Sequence, residues 1–265
     1  MSDIAQFLWV EGTLSQIEKL CLSSFLKNGY ETHLYTYGEV SGVPDGVKIL
    51  PGEKILAAEK LFEAPGVSGL SYAGFSDRFR YHLLSQKGGW WFDMDFVCLK
   101  HLPKPDQLTF ASTWEGQWGQ CANGCAMWCE PNDPHLVALR EQCEEVIASS
   151  AEVEFGKIGP FLVQKYVADH GLEDRVSPWW EFCPYPWRMI ERLAQRDLAE
   201  WAKDKLRSVK HQLREVTHPE FKGVVLQAGT RAIHLHNEIW KEKGLDKDRT
   251  YFRFSPIQRL KRRYA

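Results

Sequence analysis

The stretch "QKGGWWFDMDFVCLK", residues 86–100, sets two carboxylates, Asp93 and Asp95, inside an otherwise apolar run. The aromatic run after the Gly88-Gly89 pair reads as a strand, in which side chains two apart share a face. That aims Asp93 and Asp95 the same way and sends Phe92, Met94 and Phe96 into apolar surroundings. Carboxylates so close repel, and burial deepens the repulsion, unless a cation lies between them. A hard divalent ion is the economical solution, because Mg²⁺ or Mn²⁺ is held by one or two carboxylates with substrate phosphates completing the shell. Asp-x-Asp triplets also occur in solvated loops, so the triplet alone leaves both readings open.

The rest of the chain supplies the frame. "QFLWV" reads as a first strand, residues 15–28 as a helix closed by Gly29, and "THLYTY" as a second strand, an opening βαβ unit. A short strand follows at 47–50. Residues 72–86 read as a helix, since Phe75, Phe79 and Leu83 recur every four residues before Gly88-Gly89 ends it. "LTFASTWEG" and "GCAMWCEP" read as strands, "PHLVALREQCEEVIASS" and "GPFLVQKYVADHG" as proline-initiated helices, and 194–212 as a charged amphipathic helix. The chain returns through "AIHLHNEIW" to a polar tail. Strands alternating with helices predict an α/β sandwich around a mostly parallel sheet, which binds ligands outside the carboxyl ends of its strands.

Upstream of the carboxylates stands "SDRFRYHLLSQKGGWWFDMD", in which Asp77 and Arg80, three apart, are neighbours on one helix face. A surface ion pair there contributes only a few tenths of a kcal/mol. The whole block, however, resembles the Ser-Asp-x-x-Arg-x-x-x-Leu-x-x-x-Gly-Gly-x-Tyr-x-Asp-x-Asp signature of glycosyltransferase family 32, the DXD sugar-nucleotide transferases, with Trp91 in place of the tyrosine. "FLWVEG" is similar to the family's first strand. "AIHLHNEIW" resembles its C-terminal His-Leu-Trp-Asn segment, with His236 where tryptophan is usual, and "NGCAMWCEPNDPHL" and "IGPFLVQKY" resemble the middle elements around the sugar and acceptor pocket.

The resemblance implies one GT-A type domain over residues 1–265, with a nucleotide-sugar-binding part to about residue 110 and an acceptor part with a helical C-terminal annex beyond. It implies a retaining hexosyltransferase, using a UDP-sugar by preference and Mn²⁺ or Mg²⁺, that acts on a saccharide or lipid-linked saccharide acceptor in surface polysaccharide or lipopolysaccharide assembly. Asp95 and Asp93 become metal ligands, joined by His234, with His236 and Asn237 as alternatives. Trp9 stacks on the donor base, Ser76, Asp77 and Arg80 hold ribose and sugar hydroxyls, and Asn123 contacts acceptor. Asp93, Asp95 and Arg80 would carry the catalysis. The same core acting on a protein or modified nucleic acid, or a non-catalytic binding module, are the alternatives, because a fold does not fix its substrate.

A net charge of −2 and a 44% hydrophobic composition give a chain with a substantial core and no global basic field, which counts against nucleic acid as an obligate partner. Seven irregularly spaced cysteines and the absence of a secretory leader predict reduced thiols and a cytoplasmic protein. The evenly spaced Cys121, Cys125 and Cys129 fall in a predicted strand, which would scatter their sulfurs, so buried free thiols are expected over a metal site. No apolar window reaches the roughly 18 residues that span a bilayer. The terminal run Arg259, Lys261, Arg262 and Arg263 reads as a solvated last turn, or as a peripheral contact with anionic lipid at the inner face of the membrane.

Overall fold

The computed structural model describes residues 3–66, 69–150, 152–218 and 222–264, without the side chains of 211–217. In chain order it runs β1 (Ile4–Leu8), β2 (Gly12–Thr13), α1 (Gln16–Lys27), β3 (Glu31–Thr36), β4 (Val40–Ser41), β5 (Lys48–Pro51), β6 (Ala64–Gly66) and β7 (Gly69–Ser71). Next come α2 (Ala73–Lys87), β8 (Gly89–Phe92), β9 (Phe96–Cys98), β10 (Thr109–Trp114), β11 (Gln120–Cys129), α3 (Pro134–Ser149), α4 (Pro160–His170) and α5 (Trp179–Phe182). The described chain ends with α6 (Leu198–Thr217), β12 (Ala232–His234), α7 (Asn237–Glu242) and α8 (Pro256–Tyr264).

Six strands form the central sheet in the order β10-β11-β8-β1-β3-β5. β8, β1, β3 and β5 are parallel, and β11 and β10 add antiparallel pairings at one side. This is the expected α/β class with a mostly parallel sheet. Alternation along the strands divides the core in two. Leu8 and Trp91 pack with Phe75, Phe79 and Leu83 of α2 and with α3 and α4. Phe7, Trp90 and Phe92 face the other way, onto Leu22 and Phe25 of α1 and Phe182 of α5. Each such fully buried aromatic contributes roughly 1.5–3 kcal/mol by leaving water. Both faces are covered, so the parallel strands are apolar on both sides.

The helices start where local chemistry stops the chain folding back. Ser15 caps α1 through Ile17 N–H while Glu18 accepts from Ser15 N–H at 2.9 Å, a reciprocal capping box. Asp133 caps α3 ahead of Pro134, and Gly171, at φ 62°, closes α4. The charged helix starts later than the sequence suggests, at Leu198 and not Ala194, because Asp197 Oδ1 accepts from Glu200 N–H at 2.8 Å and the preceding turn is a 3-10 segment over Trp187–Leu193. The expected polar tail is instead helical. α8 buries Ile257, Leu260 and Tyr264 against the outer side of α1 together with Trp240 of α7, forming a helical C-terminal annex. Among the described residues no helix is long and apolar enough to cross a membrane.

Glu18, 1% exposed, joins this annex to α1: besides capping the helix it accepts from Lys247 Nζ at 2.8 Å and from Asn237 Nδ2 at 3.2 Å. Ser15→Ala should therefore lower stability by about 1 kcal/mol, and Glu18→Ala by clearly more, since it also strips the partner from Lys247. Urea denaturation of the two variants checks the order.

Candidate active site

Asp93 and Asp95 do not lie within a strand. β8 stops at Phe92, and Phe96 N–H turns back to Asp93 C=O at 3.3 Å, so the carboxylates sit on a tight turn between β8 and β9. A strand would have kept side chains in step by alternation. The turn brings them together because it is pinned at both ends, by Asp93 N–H to Cys125 C=O (2.9 Å) and by Leu235 N–H to Asp95 C=O (2.8 Å). The apolar half of the expectation holds: Phe92, Met94 and Phe96 are buried.

Asp95 is 6% exposed and is met by the C-terminal segment: its Oδ2 accepts from Asn237 N–H at 2.7 Å, and its Oδ1 lies 3.2 Å from His234 Nε2. That approach lacks hydrogen-bond geometry, which leaves Asp95 Oδ1 a buried acceptor without a donor. Burial works against ionisation, but His234, through charge and proximity, and Asn237 N–H outweigh it and hold the Asp95 carboxyl well below the usual range. Burial likewise opposes charge on His234, yet Asp95 and the neighbouring Cys125 push its pKa well up. His234 is clamped face to face on Phe96, with ring centroids 4.6 Å apart and planes 2° apart. Ligand atoms of Asp93, Asp95 and His234 all lie within 4.8 Å of one another.

His236 is placed differently. It sits at φ 54°, turns its Nε2 to Tyr185 C=O at 3.2 Å, and burial and the adjacent His234 push its pKa down. The side chain of Asn237 points to Glu18, so only its backbone reaches Asp95.

The second carboxylate belongs to an ion-pair chain that spacing could not reveal. Arg80, 4% exposed, sends Nη2 to Asp77 Oδ1 at 2.8 Å and to Asp93 Oδ1 at 2.9 Å, and its guanidinium lies 5.3 Å from the ring centroid of Trp91. Trp91 Nε1 donates to the same Asp93 Oδ1 at 2.9 Å. Asp77 and Arg80 are thus no surface pair. Two glycines leave the room: a Cβ at Gly159 would collide with Asp77 Oδ2, and one at Gly124 would meet Arg80 Nη1 at 2.8 Å. Sequence reasoning passed over both, along with the Trp91 donor. Burial raises the Asp93 pKa, Arg80 opposes this and Asp95 adds to it. For Asp77, burial outweighs the shared Arg80 and pushes the carboxyl up to about 6.

Trp9 and Asn123 lie at the same edge of the sheet. The register Gln6↔Trp91 between β1 and β8 carries Trp9, just past β1, to the carboxyl side where Asp93 stands, and the half-buried Trp9 ring packs on the second core cluster with its Nε1 unpartnered. Ser76 is half-buried on α2. Asn123, on β11, uses its side-chain oxygen locally, accepting from Cys125 N–H at 2.8 Å. The seven cysteines are free thiols, all buried except the half-buried Cys121. Cys129 packs under α2, whereas Cys125 belongs to the opposite core cluster.

Residues 54–114 match the family described as "Glycosyltransferase sugar-binding region containing DXD motif". The segment is thus similar to a DXD-containing sugar-binding region of glycosyltransferases. It holds Ser76, Asp77, Arg80, Asp93 and Asp95 and supports a transferase; Trp9, Asn123 and His234 lie outside it. No curated protein matches the chain. Among solved structures the chain is similar to "PaToxG Glycosyltransferase", at 15% identity and a TM-score of 0.46, over 98% of this chain and 87% of that one. It is also similar to the apo-form glycosyltransferase GlyE of Streptococcus pneumoniae TIGR4, at 11% identity and a TM-score of 0.47, over 100% of this chain and 60% of that one.

The Asp77 environment has a measurable sign. With a folded pKa of about 6 against roughly 3.9 when unfolded, the native state binds the extra proton between those values, so this carboxyl makes stability fall as pH rises from about 4 to about 6. Asp95, with its pKa lowered, acts in the opposite sense and below that window. Asp77→Asn should therefore flatten the slope of unfolding free energy between pH 4 and 6, measured by urea denaturation across pH, and leave the acid limb in place.

Proposed function

We propose that the protein is a divalent-cation-dependent glycosyltransferase of GT-A type, related to glycosyltransferase family 32, that transfers a hexose from a nucleotide sugar with retention. A UDP-sugar is the favoured donor, and a saccharide or lipid-linked saccharide of surface polysaccharide or lipopolysaccharide assembly is the acceptor. The observation that carries this reading is the convergence of Asp93, Asp95 and His234 at the carboxyl edge of a mostly parallel sheet, where such sheets bind ligands, with Asp95 Oδ1 buried and lacking a donor. A cation is the partner that satisfies this set. Asp93, Asp95 and His234 Nε2 would hold it, and with a nitrogen among the ligands Mn²⁺ suits the set better than Mg²⁺. When bound, the ion offsets the negative charge that develops on the departing diphosphate.

The chain's own groups orient the donor. Arg80, fixed between Asp77 and Asp93, presents rigid N–H donors to sugar or ribose hydroxyls, with Asp77 and Ser76, three and four residues before it on α2, as its neighbours along the helix. Trp9 offers its ring to the base. Asn123, on the strand that runs on past Asp93, faces the acceptor side. Exposed Arg259, Arg262 and Arg263 on α8 would provide a peripheral contact with anionic lipid, with Lys261 largely committed to the Lys247 and Arg249 carbonyls.

Nucleotide release from a panel of nucleotide sugars should require a divalent cation, favour Mn²⁺ and stop in EDTA. Asp95→Asn should reduce release by about 100-fold or more, in line with loss of a group stabilising developing charge, with circular dichroism confirming the fold. Full turnover in EDTA or by Asp95→Asn would return the aspartates to a structural role, and donor binding without release would make the protein a non-catalytic module.

A further inference from the structure

Behind the imidazole of His234 lies a second donor group that the reading above does not use. His234 Nε2 faces Asp95; Nδ1, on the opposite side of the ring, lies 3.8 Å from Cys183 Sγ, which lies 3.9 Å from Cys125 Sγ. All three residues are buried, and the three donor atoms lie within 4.8 Å of one another. A metal-ligating histidine ordinarily gives its second nitrogen to a carboxylate or a carbonyl. Here that nitrogen meets two thiols.

The thiols are positioned by backbone. The β10–β11 register jumps from Phe110↔Met127 to Ala111↔Asn123, so residues 124–126 bulge out of that ladder, and bulges re-aim side chains. Asn123 Oδ1 and Asp93 N–H hold the Cys125 N–H and C=O of this bulge. Cys183 follows α5, its N–H bonded to Trp179 C=O at 2.8 Å.

The spacings match a metal shell. With metal–sulfur bonds of about 2.3 Å, metal–nitrogen bonds of about 2.05 Å and angles between tetrahedral and trigonal, two sulfurs stand about 3.8–4.0 Å apart and a sulfur and nitrogen about 3.6–3.8 Å. A disulfide would need the sulfurs at about 2 Å. Two thiolates and an imidazole select thiophilic ions over Mg²⁺, Ca²⁺ or Mn²⁺.

We propose that Cys125, Cys183 and His234 Nδ1 form a second metal site, for a thiophilic ion such as Zn²⁺ or Cu⁺, back to back with the carboxylate site and sharing its imidazole. Each thiol releases its proton to solvent as its metal–sulfur bond forms, and any proton on His234 Nδ1 leaves likewise as the metal–nitrogen bond forms. An ion on Nδ1 leaves the ring proton on Nε2, the nitrogen that faces Asp95, so that this nitrogen has no lone pair to offer the carboxylate site. That antagonism rests on the carboxylate reading proposed above; the sulfur site does not.

Cobalt reads out the sulfur site directly. Titrating the reduced, metal-free full chain with Co²⁺ should produce a sulfur-to-cobalt charge-transfer band that saturates at one equivalent per chain and disappears on adding Zn²⁺. The band should be lost in Cys125→Ala and in Cys183→Ala, and kept in Cys121→Ala. It should also survive Asp95→Asn, so a failure of the carboxylate site is distinguishable from a failure here. No band in the wild-type chain, or a band surviving both Cys125→Ala and Cys183→Ala, would overturn the proposal.

Discussion

Asp95 is a charge the fold has enclosed and then answered. Taking a carboxylate out of water costs several kcal/mol unless partners replace the lost hydration. Those partners come from the far end of the chain, Asn237 N–H at 2.7 Å and the His234 imidazole, while Leu235 N–H takes the backbone carbonyl of the same residue. One residue thereby ties the turn after β8 to the β12–α7 segment, and β9 pairs with β12 across the same junction. Glu18 makes the matching tie from α1 to Asn237 and Lys247. The C-terminal segment is thus tied by two buried anions, Asp95 on the turn after β8 and Glu18 on α1.

Two neighbouring carboxylates consequently live in opposed environments. Asp95 is driven toward ionisation by His234, whereas Asp93 is driven away from it by burial despite Arg80. Arg80 is in turn shared, its Nη2 contacting both Asp77 and Asp93. From Asp77 through Arg80 to Asp93 the signs alternate, and Asp95 with His234 stands beside them, an arrangement in which an arriving cation and diphosphate would find both signs already oriented and little left to reorganise.

Much of this was legible in local sequence. Apolar spacing at Phe75, Phe79 and Leu83 located α2, the proline at 134 located α3, and Gly171 marked the end of α4. The aspartate pair, and His234 as its companion, came from residue type and resemblance. What local pattern could not carry was geometry set by distant contacts. The aspartates leave the strand because residues 125 and 235 pin the turn. Arg80 reaches Asp93 across the Gly88-Gly89 turn, Gly159 matters only through its clearance from Asp77, and Cys183 meets Cys125 over 58 positions. The C-terminal basic run looked polar because its buried Ile257, Leu260 and Tyr264 are spaced among four cations on a single short helix.

The account stands on the claim that Asp93, Asp95 and His234 jointly take one divalent cation that a diphosphate completes. Pulsed electron paramagnetic resonance of Mn²⁺ bound to the protein with UDP tests it most directly. The account predicts one bound Mn²⁺ per chain with both a phosphorus coupling and a single imidazole nitrogen coupling, the nitrogen signal vanishing in His234→Ala and persisting in His236→Ala. Bound Mn²⁺ showing phosphorus but no imidazole coupling in the wild-type protein, or a nitrogen signal that survives His234→Ala, would contradict it.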